Sequence, residues 1–467
     1  MSSNRRSHSN YALERAIQWS QQLACPLVIL DILPSDYPFA SDRHHRFQLE
    51  GMADLAAEFK KTAVLYYPFL ESECDAGDAL LHSMSELARI VIADDYPPRY
   101  AHSWLERIET LAKVRVEAVD SNGLLPLSIS PQAFPTAYAF RRFLQKSLQP
   151  YLLEFPAENP LKGVKLPAIG SGLIEIERKW PRVELASETH SVKLLNELPI
   201  RHDVQPVFDK GGQLQAKKLL DYFLNEKLDH YSANRNEPEL DATSRLSPYL
   251  HYGFISTHDI VRAILDREDW SLDRLGTTAK GQREGWWGVR ESVEAFLDQL
   301  VTWRELGFNF CRFRDDYDQF SSLPLWARQT LAAHKKDKRE YLYTKQELET
   351  GSTHDQLWNA AQGQLIREGY IHNYLRMLWG KKIIEWTPTP EEALAIMLEL
   401  NDKYALDGSD PNSYSGIFWT LGRYDRPWGP ERAIFGTIRY MSSANTARKV
   451  RVKDYISRYA PQKVSIQ

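Results

Sequence analysis

Trp358, Trp379 and Trp386 fall within one stretch, HDQLWNAAQGQLIREGYIHNYLRMLWGKKIIEW, from His354 to Trp386. Closely spaced indoles can carry an electron stepwise through a protein interior. Trp379 and Trp386 lie two turns apart on one helix face, roughly 11 Å. Trp358 lies six turns earlier, and a straight helix would separate it from Trp379 by roughly 30 Å. Gly369 follows Arg367 and Glu368, so the spacing predicts a helix end and a turn there. A chain that folds back at Gly369 makes all three indoles neighbours. Three tryptophans in an isolated helical pair would otherwise be read as core filler.

Two polar groups share this stretch. Asn373 and Arg376 sit one turn apart in HNYLRM. On an inward face they need partners, because buried polar groups must be satisfied. Asp425 in RYDRPW could provide one. A second cluster is TSRLSPYLHYGFIS, residues 243–256. Thr243, Ser244 and Ser247 bring hydroxyls and amides, and Arg245 brings charge. Such a set at a helix start can hold a pyrophosphate, although Ser or Thr there also serves simply as an N-cap. No GxGxxG or Walker loop is present.

The elements that must position these groups read as two regions. The N-terminal third alternates: helix 11–23, strand 26–33, helix 44–60, strand 62–69, helix 76–87, strand 88–96, helix 100–112, strand 114–121. That pattern predicts a parallel sheet covered by helices. Residues 125–205 are rich in proline and read as a short helix at 135–147 followed by a surface linker. From 210 onward nearly everything reads as helix: 212–229, 256–266, 287–312, 323–334, 354–367, 370–386 and 389–402. The organisation is therefore 1–130 α/β, 131–208 linker and 209–467 all-α.

Composition is that of a soluble globular chain, 43% hydrophobic and 26% charged, with 13 Trp among 467 residues. The net charge of −4 gives no global field for nucleic acid. A local run does: Arg432, Arg439, Arg448, Lys449, Arg451, Lys453, Arg458 and Lys463 have few acids among them. Cys25, Cys74 and Cys311 are scattered without metal spacing, which suits a reducing cytoplasm and predicts no metal site. No apolar run has transmembrane length.

The segments GYIHNYLRM (369–377), NDKYALDGSDPNSYSGIFW (401–419) and TSRLSPYLHYGFIS resemble the flavin domain of the DNA photolyase and cryptochrome family. WNAAQ, RMLWGKKIIEW and FGTIRYM (435–441) are most similar to the class II cyclobutane-dimer photolyases. The resemblance runs from about Arg5 to Arg458. It implies a Rossmann-like parallel-sheet domain followed by an all-α domain that binds FAD. It also implies that the first domain is where an antenna chromophore, a deazaflavin or a folate, would sit. The families open with a strand, whereas this chain opens as loop then helix. Met1 is accordingly read as an internal methionine, and a vacant sheet position is expected beside the strand 26–33.

The resemblance implies FAD contacts from Tyr231, Thr243, Ser244, Arg245, Leu246, Ser247, Asn373, Arg376, Asn401, Asp407 and Asp425, with Arg376 paired to Asp425. Class II relatives usually carry Arg where Ser409 stands and Gly where Asn373 stands, so the ring environment is a mixture. Trp379 would lie nearest the flavin, Trp358 in the middle, and Trp386 at the exit to solvent. Trp303, Met377, Trp419 and Tyr374 would line a pocket for a pyrimidine dimer flipped out of damaged DNA. The expected chemistry is dimer splitting by an electron from photoexcited reduced FAD, in a cytoplasmic, monomeric enzyme. The family places a glutamate a turn before the pocket tryptophan; here Gln299 stands there. Gln donates through its amide but cannot be a protonated acid. Gln299 therefore keeps two alternatives open: a cryptochrome-like photoreceptor and a repair-impaired flavoprotein.

Overall fold

The computed structural model describes residues 1–185 and 193–460. Lys463 of the basic run lies outside them. The chain divides into two compact units.

The first unit comprises Met1–Ser130, Ser147–Leu224 and Ser244–Asp273. It holds α1 (Tyr11–Leu23), β1 (Val28–Leu33), α2 (Asp42–Phe59), β2 (Leu65–Leu70), α3 (Ala76–Leu87), β3 (Val91–Asp94), α4 (Arg99–Leu111) and β4 (Val116–Val119). The expected alternation is present with ends shifted by a few residues. Asn10 caps α1 by accepting from the Leu13 amide at 3.2 Å, and Leu13 and Ile17 bury one face. These join Ile29, Leu55, Phe59, Val64 and Tyr66 in one apolar cluster.

The sheet is divided. β1 pairs in parallel with β2, from Val28 opposite Leu65 to Leu33 opposite Leu70. β3 pairs in parallel with β4, from Val91 opposite Val116 to Asp94 opposite Val119. Among the described residues β1 and β3 do not pair with each other. Between them lies a cavity of about 600 Å³, lined by Val28 and Leu30, by Val91 and Ala93, and by Trp19 and Trp104. The cavity runs along β1. Met1 and Ser2 also line it. The Met1 ammonium donates to the Leu30 carbonyl at 2.8 Å, and the Ser2 and Ser3 amides donate to Asp94 at 2.7 and 2.9 Å. Burial alone would raise the Asp94 pKa; the ammonium and these amides outweigh it and hold the carboxyl low.

The second unit comprises Pro131–Lys146, Asn225–Thr243 and Arg274 onward. Its main helices are α5 (Arg304–Phe313), α6 (Gln356–Glu368), α7 (Asn373–Trp386), α8 (Pro390–Tyr404) and α9 (Pro411–Thr420). The expected continuous helix 287–312 is interrupted. A π turn, Asp298–Trp303, separates Glu291–Leu297 from α5. Gly369 ends α6 with φ 64°, and its amide returns to the Leu365 carbonyl at 3.0 Å. A Cβ there would stand 3.1 Å from Leu406, so glycine suits both the angle and the space. The turn folds α7 back along α6. Gly380 then lets α7 lie close to its neighbours, because a Cβ at that position would meet Thr420 at 2.7 Å and Met397 at 3.0 Å.

Candidate functional site

The fold-back at Gly369 gathers the three indoles. Trp358 Nε1 donates to the Trp379 carbonyl at 3.0 Å. Trp358 and Trp386 meet edge to face with centroids 5.4 Å apart. Trp379 Nε1 donates to Gln362 Oε1 at 2.8 Å, and Gln362 in turn donates to the Glu349 carbonyl. Each indole ring is therefore fixed by packing or by a hydrogen bond. One expectation is corrected. Trp386 is only 1% exposed and is not itself the exit to solvent. Tyr343 and His354 pack against it at 5.4 and 5.3 Å.

One helix turn from Trp379 stands Arg376. Its Nη1 donates to Asn401 Oδ1 at 2.6 Å, and its Nη2 lies 3.6 Å from Asp407 Oδ1. Asn401 Nδ2 donates to Asp402 at 3.0 Å, and the Ser409 amide donates to the same Asp402 oxygen at 2.8 Å. Arg376, Asn401 and Asp407 thus form one polar network between α7 and the end of α8. The expected Arg376–Asp425 pair is corrected. The Asp425 carboxylate accepts from Trp428 Nε1 and from the Arg426 amide, both at 2.9 Å. These two local bonds satisfy it, and Arg376 is met by Asn401 of α8 and by Asp407 just beyond it.

Tyr231 is buried in the same unit, edge to face with Phe296 at 5.3 Å, and burial pushes its phenol up to about 12. Thr243 Oγ1 lies 3.3 Å from the Tyr370 hydroxyl. Asn373 is exposed at the first turn of α7, with Tyr374 and Met377 half-buried beyond it. Ser244–Ser247 belong to the first unit. There Arg245 adopts φ 56° and reaches Asp209 at 3.3 Å, Leu246 is buried, and Ser247 opens a helix of only five residues. The helix start expected to grip a pyrophosphate is thus a single turn, and the Arg245 charge is already met by Asp209.

Trp303 and Trp419 face each other with centroids 5.6 Å apart, tilted by 39° and half-buried. Gln299 is half-buried in the π turn that ends at Trp303. Such turns recur at functional sites. This one is held by Arg141, which grips Asp298 with two hydrogen bonds of 2.8 and 3.1 Å.

Several residues escaped the sequence reading. Gln362 is fully buried against Trp379; a glutamine in the apolar repeat of α6 was the available signal. His372 is 4% exposed, and neither ring nitrogen has a hydrogen-bond partner among the described residues. Burial lowers its imidazole to about 4, so it is neutral. Lys381 lies between Trp379 and Trp386 on α7, donates to the Thr420 carbonyl, and is lowered to about 7. Burial is the main cause there; Arg439 adds to it and Asp425 opposes it. The seven described residues of the basic run are all exposed. Arg439 stacks on Trp428 at 5.0 Å and Arg432 on Tyr440 at 5.0 Å. No helix among the described residues is long and apolar enough to cross a membrane.

A parallel-sheet α/β unit and a mostly helical unit are the parts of the photolyase fold. The family model for DNA photolyase matches residues 1–161. A deoxyribodipyrimidine photo-lyase of Methanothermobacter thermautotrophicus is 32% identical, covering 98% of this chain and 93% of that protein. One from Arabidopsis thaliana is also 32% identical, covering 99% of this chain and 88% of that protein. The fold is that of a class III photolyase crystal structure from Agrobacterium tumefaciens, with TM-score 0.70 at 18% identity over 98% of this chain and 84% of that one. Cryptochromes of Sinapis alba and Arabidopsis thaliana are similar over only 48% of the chain. The chain belongs to the DNA photolyase family.

Proposed function

We propose that this protein is a light-dependent DNA-repair lyase that splits cyclobutane pyrimidine dimers, with FAD held in its helical unit. The observation that carries the reading is the continuous path from the Arg376–Asn401–Asp407 network through Trp379 and Trp358 to Trp386. The network fits a flavin ring. Arg376 brings a cation for a reduced, anionic ring, and Asn401 brings an amide. Buried His372 has two ring nitrogens that no described residue engages, which leaves both for a bound group. Bound FAD would supply the photoexcited electron donor.

The chain's own residues do the rest. Arg376 is held by Asn401 and Asp407 and so fixes positive charge at one place. Tyr231, Thr243 and Asn373 of the helical unit are assigned to the cofactor. Trp303 and Trp419 are two flat apolar walls suited to a flipped pyrimidine dimer, and Met377 and Tyr374 are assigned to the same pocket. Gln299 offers an amide donor to the dimer's carbonyl edge. The exposed arginines and lysines of 432–458 serve the phosphate backbone. The α/β unit is the place for a second, antenna chromophore.

The test is blue-light repair of an oligonucleotide carrying one dimer by the FAD-loaded protein. Turnover is expected. A protein that binds and photoreduces FAD yet leaves the dimer intact would overturn the repair reading. It would favour the photoreceptor alternative, for which Gln299 is the one supporting observation.

A further inference from the structure

The indole row stops inside the protein. Trp386 is 1% exposed, so no reductant in solution can touch it. Two rings continue the path. Tyr343 meets Trp386 edge to face at 5.4 Å, and its backbone amide donates to the Trp386 carbonyl at 3.1 Å. The Tyr343 hydroxyl lies 2.7 Å from His354 Nδ1 and accepts from the His354 amide at 3.0 Å. His354 is exposed and stacks on Tyr341 at 3.8 Å, with Tyr341 40% exposed.

We propose that Tyr343 is the terminal electron donor of the relay, with His354 as the acceptor of its phenolic proton. This rests on the proposed function, in which the photoexcited flavin is the oxidant. An electron vacancy arriving on Trp386 leaves it as a radical cation. One electron passes from Tyr343 to Trp386, restoring the neutral indole. The O–H bond of Tyr343 breaks, and its proton forms the N–H bond at His354 Nδ1. The products are a neutral tyrosyl radical and an imidazolium; a thiol in solution then gives one electron to Tyr343 and leaves as a thiyl radical with its proton lost to solvent, while the imidazolium returns its proton to the phenolic oxygen. Two features favour the step. Lys382 Nζ stands 5.3 Å from the Trp386 ring centroid and opposes positive charge there, moderated by Glu385 at 2.8 Å. The tyrosyl radical carries no charge, because the proton acceptor is already in hydrogen-bond contact.

The experiment is flash excitation of the full FAD-loaded chain, followed by transient absorption and by electron paramagnetic resonance. A tyrosyl signal is expected after the tryptophanyl one. Tyr343→Phe keeps the ring packing and should leave only tryptophanyl radical, shortening the charge-separated lifetime several-fold. His354→Phe should lower the tyrosyl yield several-fold, and Tyr341→Phe should retain it. Normal flavin photoreduction with only tryptophanyl radical in the unmodified protein would overturn this inference and leave the proposed function standing. So would a tyrosyl signal lost in Tyr341→Phe but kept in Tyr343→Phe. Absence of any photoreduction would overturn both.

Discussion

Lys381→Met should stabilise the protein, and by an amount that depends on pH. The ammonium is fully buried, and its pKa falls from 10.5 to about 7. A group with a lowered folded-state pKa binds fewer protons folded than unfolded between those two values. Stability therefore rises with pH across that window, by about 1.4 kcal/mol per pH unit for one proton. Below pH 7 both states carry the charge and the burial cost is present in full. That cost is of order 5 kcal/mol, taken over the interval from about 7 to 10.5. Methionine has nearly the same reach and no charge, and it gives up only the bond to the Thr420 carbonyl. The expected gain is thus several kcal/mol at pH 6.5, shrinking steadily toward pH 10. Urea midpoints followed by tryptophan fluorescence at pH 6.5, 8 and 9.5 measure it. Midpoints that shift in parallel with the unmodified protein at all three pH values would refute the reasoning. So would a variant less stable at pH 6.5.

Four further outcomes are expected. Trp379→Phe should leave FAD bound while abolishing light-driven flavin reduction, read as bleaching of the oxidised flavin absorption. Arg376→Ala should reduce retained FAD or shift its redox potential; unchanged flavin content and potential would remove Arg376 from the site. Gln299→Glu should raise repair yield without altering photoreduction, measured as dimers split per absorbed photon. Arg141→Ala leaves Asp298 buried without its partner and should cost about 3 to 5 kcal/mol in urea unfolding, with repair lost as the π turn relaxes.

Much of this arrangement is legible in the residues. The α/β alternation fixed each strand to within a few positions, because short apolar runs between amphipathic helices have few other solutions. Gly369 marked the turn, because a left-handed cap with Leu406 against it admits little else. The indoles came together as the turn required. What could not be read has physical causes. The π turn at Asp298–Trp303 inserts width that a 3.6-residue count does not see, and its anchor Arg141 lies far back in the chain. The resemblance paired Arg376 with Asp425, whereas Asp425 is met locally by Trp428 and the Arg426 amide, and Arg376 reaches Asn401 and Asp407.

The burial of Trp386 and the displaced pKa of Lys381 have one cause. Face counting along α7 gave its neighbours on the same helix but not those folded over it. α7 approaches α8 and α9 closely because Gly380 leaves room for Thr420 and Met397. That approach dries the whole length from Trp379 to Trp386. In such a medium a charge on Lys381 is costly, so near neutral pH it gives up much of its charge beside the relay. A fixed ammonium between two indoles would oppose every positive charge passing them. Dry packing thus removes that obstacle and the solvent exit together, which is why the path must end at Tyr343 and His354, the first rings beyond the covered face.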